Sequence, residues 1–222
     1  MVKIPDLVTK SKSSIHSITT DFLEGFQTIS KNKGLRYLFL YAMAITFIMM
    51  PAAIMFPLLT TGHYAGGKWE MGVIEVVWGG GMLIGGAILS TFKLKGSKVV
   101  AVNVMYVLLG LTFILSGALP ASWFVGFVLT TAIGGISLSV FNGCFTAIVQ
   151  TEVSPDKLGR VFSLYYSLAV LPSVIGLLFT GLIAEVIGVN ISFIISGCLA
   201  ILVGILSFGT RNLMQLDKIK NV

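Results

Sequence analysis

Charge is scarce in this chain. Only 11% of its 222 residues are Asp, Glu, Lys or Arg, against roughly 25% in an ordinary soluble domain. Hydrophobic residues make up 55%, and the mean hydropathy is +0.95. A chain with so little polar surface cannot cover itself against water, so lipid must cover it. Cysteine is nearly absent: Cys144 and Cys198 both lie inside apolar runs, where they pack as small hydrophobes rather than as a disulfide framework. Histidine is as rare, and His16 and His63 both fall outside those runs. No HExxH, CxxC, Walker sequence or serine–histidine pairing can be assembled, so no enzyme, metal site or cofactor is expected. Acids number nine against 15 Lys plus Arg, a net charge of +6. The cations sit in short loops and tails beside apolar runs, where they face anionic headgroups, so the positive balance does not point to nucleic acid.

What the chain has in abundance is long apolar segments. Six are predicted: Leu35 to Thr61, Met71 to Phe92, Val99 to Leu119, Trp123 to Val149, Val161 to Ile187 and Ile191 to Gly209. Each reaches or approaches the ~20 helical residues that cross ~30 Å of hydrocarbon, and helices satisfy every backbone amide internally. Threaded six times from the inside, the chain leaves only Lys68 of its 15 cations outside, a strong positive-inside signature. The expectation is an all-α, multi-pass cell-membrane protein with both termini cytoplasmic and the bilayer as its solvent. Trp69, Tyr64 and Trp123 fall at the predicted outer interface, as an aromatic belt would. The first apolar run follows a long polar stretch, so no cleavable leader is expected.

Three regions are predicted: a cytoplasmic linker over 1–34, a six-helix domain over 35–210 and a cytoplasmic tail over 211–222. Within the linker, Met1 to Thr20 reads as loose. Asp21 to Lys33 reads as a short amphipathic helix on the inner membrane surface, with Phe22, Phe26 and Ile29 at helical spacing and a solvated linker as the plainer alternative. Asp21 and Glu24 resemble a capping box, and Gly34 suits the stop.

Polarity is uneven among the spans. The third and sixth are almost wholly lipid-like, with Asn103 the main exception. The first, second, fourth and fifth carry the prolines, most glycines and the polar candidates, as if two helices faced lipid and four faced a cavity or partner. Gly81 and Gly85 form a GxxxG pair, and Gly135, Ser139 and Gly143 a ladder of small residues; both suit close helix approach. Pro51, Pro57 and Pro172 each remove an intrahelical hydrogen bond, giving kinks or gating hinges. Glu75 is the one acid well inside a predicted span; such a residue costs ~2.5–3.5 kcal/mol at the bilayer centre on insertion scales and is a functional candidate by default. It lies ~6 Å from the outer start of its span, so a solvated vestibule role stays open. Glu185 is nearer an outer end. Tyr41, Trp78, Phe141, Asn142, Gln150, Tyr165 and Tyr166 are candidate cavity groups for a bulky amphiphile, with helix packing the plainer alternative for each.

Several stretches together resemble the major facilitator superfamily (MFS), in its macrolide-efflux branch. They are Ile4-Pro5, EGFQTISKNKGL (Glu24 to Leu35), PLL (Pro57 to Leu59), IEVVWGGGMLIGG (Ile74 to Gly86), LSGALP (Leu115 to Pro120), LGRVFSL (Leu158 to Leu164) and GLIAEVIGVN (Gly181 to Asn190). The likeness is to the second half of such a carrier. It implies one half of a twelve-span fold, itself an inverted 3+3 repeat of six transmembrane helices, whose first, second, fourth and fifth spans approach the cavity. The family's G-x-x-x-D-R-x-G-R loop is reduced here to STFKLKGSK (Ser90 to Lys98), which keeps positive charge but lacks the Asp. Glu75 stands where that branch also carries an acid.

The resemblance implies a proton-coupled exporter of amphiphilic drugs such as macrolides, working by alternating access. One proton entering down ~100 mV gains ~2.3 kcal/mol. The expected partners are the bilayer, a small amphiphilic substrate, and an N-terminal six-helix half or a second copy of the chain. The alternative is a non-transporting membrane protein, either a truncated relic or an assembly partner that docks through its glycine faces.

Overall fold

In the computed structural model, residues 15–91 and 96–216 are described; the side chains of 15–21, 51–52 and 171–184 are not. The expectations for most of Met1 to Thr20, for the middle of the Ser90 to Lys98 loop and for the end of the tail therefore lie outside the described residues. The described chain is helical: α1 (Ile15–Lys31), α2 (Lys33–Ile54), the three-residue α3 (Phe56–Leu58) running into a π-helical turn (Leu59–His63), α4 (Lys68–Thr91), α5 (Lys98–Ala118), α6 (Phe124–Glu152), α7 (Pro155–Val186), α8 (Val189–Gly209) and α9 (Arg211–Met214). Among the described residues five helices are long and apolar enough to cross a membrane: α2, α4, α5, α6 and α8. The backbone of α7 is longer than any of them, at 32 residues. This is a multi-pass membrane protein.

Two local expectations are corrected. The amphipathic helix starts at Ile15, so Asp21 lies inside it and not at its start; the Glu24 carboxylate takes an ion pair from Arg160 on α7 at 2.5 Å. Gly34 does not stop it either. Asn32 separates α1 from α2, its Oδ1 accepting from the N–H groups of Gly34 (3.0 Å) and Leu35 (3.3 Å), which satisfies donors a helix start leaves unpaired. Gly34 sits inside α2, where a Cβ would lie 2.7 Å from the Asn212 carbonyl oxygen.

The bundle is organised by small residues. In α4 and α6 a Cβ on Gly85 would fall 2.7 Å from the Ile136 carbonyl, and Gly81 and Gly135 press directly on backbone of the facing helix. The space beside Gly143 is filled by Leu89. α5 packs on α6 and, most extensively, on α8; α2 packs on α7 and α8, and α1 lies along α7. The α5–α8 seam is antiparallel: Gly117 meets Asn190 and Phe193, Gly110 meets Gly197 and Ile201, and Gly204 meets Tyr106 and Val107. Without a hydrophobic driving force between helices in lipid, this close backbone approach is what holds them.

The seam gives the third span a protein-facing side, opposite the face on which Val104, Leu111 and Leu115 are exposed. Half of α5 is buried, the largest share among these spans, whereas only 17% of α4 is. Buried Asn103, Thr112 and Ser116 all lie on α5. Asn103 accepts from Ser207 Oγ at 2.5 Å, and Ser116 bonds Thr130 of α6 at 2.9 Å. An apolar helix in a membrane protein can face lipid or protein equally well, so hydropathy could not separate the two.

Candidate substrate and coupling site

The first predicted span does not run through. α2 ends at Ile54, and Pro57 enters the first turn of α3. Pro57 has no N–H to return to the preceding turn, and its ring crowds the carbonyl four residues back, so the helix breaks and restarts. A π-helical turn follows at once; such turns recur where a helix is locally remodelled for function.

The break is anchored by Phe56. Its ring packs on Phe193 (5.1 Å between centroids), Trp78 (5.6 Å), Phe113 (5.7 Å) and Phe127 (5.9 Å), joining four helices at one point. Beside it open two adjoining clefts. One, of about 140 Å³, is lined by Ala53, Phe56, Ile74, Glu75 and Trp78. The other, of about 130 Å³, adds Pro57, Thr60, Met71 and Gly72. Glu75 and Phe56 belong to both. The Glu75 side chain is exposed on a face of α4 where Val76 is 74% and Leu83 78% exposed. On the same helix, Gly72, Gly79 and Gly80 have nothing within 4 Å of where a Cβ would stand. An acid walled by an indole and a phenyl ring suits a cationic amphiphile, through charge and cation–π attraction.

A turn of chain outside this cleft is tied to the bundle. His63 Nε2 lies 2.8 Å from the Leu119 carbonyl, and Asn190 Nδ2 2.6 Å from His63 Nδ1. Tyr64 is buried, correcting its assignment to the aromatic belt: it stacks on Phe127 at 4.5 Å and donates to the Ser116 carbonyl at 2.7 Å. Burial pushes its phenol up to about 12. Trp69 and Trp123 are exposed.

Against curated proteins, the chain is 34% identical over 217 residues to Macrolide efflux protein A of Streptococcus pyogenes. It is 33% identical over 177 residues to the protein of that name from Enterococcus faecalis, and 28% over 193 residues to the uncharacterized MFS-type transporter YfiS of Bacillus subtilis. This chain is a half-length homologue of bacterial macrolide efflux proteins. The first match takes in 98% of the chain but 54% of the relative, and the others 80% of the chain with 55% and 45% of the relative. The chain therefore spans about half the length of the curated relatives it matches. No protein-family model matches it, and no solved structure does.

In this macrolide-efflux homologue only some of the candidate residues come together. Glu75, Trp78 and Pro57 meet at the clefts. Tyr165 and Phe141 lie elsewhere, in a second ring cluster: Tyr165 packs on Phe145 (4.7 Å) and Phe39 (5.6 Å), and Phe141 on Tyr106 (5.2 Å) and Phe145 (5.9 Å). Tyr166 is exposed against Phe162 and Tyr165. Asn142, Gln150 and Glu185 are exposed. Tyr41 turns to α8, its hydroxyl 2.6 Å from Thr210 Oγ1 and donating to the Leu206 carbonyl at 3.3 Å. Pro51 and Pro172 lie in helical backbone, and their side chains are outside those described. Phe56, Thr60 and the π-helical turn were missed from sequence; the one signal was an aromatic residue directly before a proline in an apolar run. No cluster of three His, Cys, Asp or Glu side chains capable of holding a metal occurs among the described residues.

Proposed function

We propose that this chain forms the C-terminal six-helix half of a proton-coupled exporter of amphiphilic drugs, macrolides among them, with Glu75 as the coupling acid. The observation that carries the reading is Glu75 itself: an acid within an apolar helix, on its uncovered face, in an aromatic cleft beside a broken helix. The relatives named for macrolide efflux are about twice as long, which fits a second six-helix body over the thinly buried α4.

The helix contacts support an inverted 3+3 repeat. Exchange the first, second and third spans for the fourth, fifth and sixth. The α4–α6 pair becomes α7–α2, α5–α6 becomes α8–α2, and α5–α8 maps onto itself; all these pairs are in contact. The sequence supports it too. One constant offset relates Asn103 to Asn190, Tyr106 to Phe193, Gly110 to Gly197, Ile114 to Ile201 and Gly117 to Gly204. In such a carrier, two halves rock about a midplane site, and the Pro57 break lies where one span would flex.

The test is drug accumulation in cells that carry this chain together with the N-terminal half of a relative. Export that an uncoupler abolishes is expected, with Glu75→Gln losing its dependence on external pH. Unchanged efflux by that variant across pH would remove Glu75 from the coupling role. The open glycine face of α4 also favours the second reading, a non-transporting assembly partner; that reading takes over if no macrolide moves even with the other half supplied.

A further inference from the structure

A cleft larger than those beside Glu75 lies away from it. It holds about 560 Å³ between α1, α2 and α7. On α2 its wall is one stripe, Arg36, Leu40, Met43, Ala44 and Phe47, at helical spacing. From Arg36 to Phe47 that stripe rises about 16 Å at 1.5 Å per residue, roughly half of a ~30 Å hydrocarbon core, one leaflet's depth. The opposite walls are mostly apolar, from Phe26 and Ile29 with Ser30 of α1, and from Leu164 and Leu168 with Tyr165 of α7. Charge enters only at one end, where Arg36 is exposed and lies 5.6 Å over the Tyr37 ring. Lys31 and Lys33 stand close to it in the chain, and both are exposed. The nearby acids are directed elsewhere: Glu24 to Arg160, and Glu152 to Asn32 Nδ2 at 3.2 Å.

We infer that this cleft is a binding site for an anionic phospholipid of the leaflet that α1 faces, with one acyl chain along the α2 stripe and the phosphate on Arg36. The length fits one leaflet. The half-open wall, with Leu40 58% and Phe47 54% exposed, admits a chain from the side. A guanidinium matches a phosphate by paired N–H donors. A cationic amphiphile, which the Glu75 cleft suits, would be repelled here. A helix from a second copy would have to bring an acid to Arg36 as well as apolar surface to the α2 stripe, whereas a phospholipid carries its anion at the end of its own acyl chain, so the charge favours lipid over protein. The inference stands whether or not the chain transports.

Native mass spectrometry of the full chain, released from mild detergent after mixing with phosphatidylglycerol or phosphatidylcholine of identical chains, tests it. One phosphatidylglycerol should stay bound in preference to phosphatidylcholine. Arg36→Gln should cut that preference about fivefold, as expected for one interfacial cation, while Arg36→Lys keeps most of it. Ala44→Trp fills the slot and should abolish retention of either lipid, with helical circular dichroism unchanged. Equal retention of the two lipids by the parent chain, or retention unaffected by Ala44→Trp, overturns the inference. So does a dimer that forms without bound lipid and is broken by Ala44→Trp.

Discussion

A single methyl group at the α5–α8 crossing tests the packing argument most directly. In Gly110→Ala the new Cβ would lie 2.6 Å from the Gly197 carbonyl oxygen, 2.8 Å from Ile201 Cγ1 and 3.0 Å from Ile201 N. Two of these are backbone atoms, which cannot swing aside as a side-chain tip can. Relief requires the helices to part by roughly 0.5–1 Å, and a gap of that size forfeits about a quarter to a half of each dispersion contact it opens. Overpacking of this kind costs ~1–3 kcal/mol, against a gain of up to ~1 kcal/mol from replacing glycine inside a helix. Gly80→Ala is the control: nothing lies within 4 Å of its Cβ, so it takes the gain without the clash. The two variants should therefore move stability in opposite directions. Gly197→Ala meets Gly110 and Ile114 in the reciprocal way, so the double variant should lose less than the summed single losses, because its second methyl enters a gap already opened. A thiol-reactive dye reports unfolding in detergent: Cys198 is exposed and reacts at once, while Cys144 is buried and reacts only when the bundle opens. Gly110→Ala matching Gly80→Ala in sign and size would refute the reasoning.

Two further outcomes follow from the hydrogen bonds. Ser207→Ala leaves the fully buried Asn103 without the donor at 2.5 Å, and should lower stability by ~1 kcal/mol, within the range for an acceptor stranded inside protein; the same dye assay reads it, and Asn103→Leu with Ser207→Ala should recover part of the loss. Tyr64 is held neutral by burial, with its phenol raised from 10.0 to about 12, so its contribution is fully present below pH 10 and is lost as pH rises toward 12. The loss is at most about 2.7 kcal/mol for two pKa units, less whatever solvent screening removes, and Tyr64→Phe should flatten that alkaline slope, read by thermal melts across pH 9–12.

Five of the six predicted apolar spans were legible because hydrocarbon thickness fixes the length of each run, although the first of them breaks after Ile54. The α4–α6 seam was legible for a related reason: GxxxG spacing states where backbones can touch, and Gly81, Gly85 and Gly135 do touch. Asp21, Glu24 and Gly34 misled because local spacing looked like a cap and a stop, while the partners of Glu24 and Gly34 stand far along the chain, at Arg160 and at Asn212 and Leu216. The cleft at Glu75 was half legible. The acid and the proline break announce themselves in an apolar run, but the ring cluster that closes the break on Phe56 exists only once four helices meet. The burial of α5 was hidden for a different reason: lipid and protein interior look alike to a hydropathy pattern.

The constant offset between α5 and α8 carries information that hydropathy does not. Gly110 and Gly197 meet at the centre of one antiparallel seam, and the outer pairs, Asn103 with Asn190 and Tyr106 with Phe193, occupy its opposite ends, so differences between them measure differences between the two ends. Asn103 is buried and takes its bond from Ser207, across the seam, whereas Asn190 bonds His63 of the turn that follows the broken span. Phe193 packs on Phe56 and Phe113. Its counterpart Tyr106 packs on Phe141 and carries a buried hydroxyl with no hydrogen-bond partner among the described residues. One end of the seam is thus closed by rings and by a turn tied down through His63. The other is closed by a polar pair and keeps one polar atom unsatisfied, which is costly in a dry interior. A bundle whose two ends are built from one pattern yet sealed by different chemistry is not obliged to open both ends alike. The Pro57 break lies at the end sealed by rings, where opening costs ring contacts together with the buried Tyr64–Ser116 and Ser116–Thr130 hydrogen bonds.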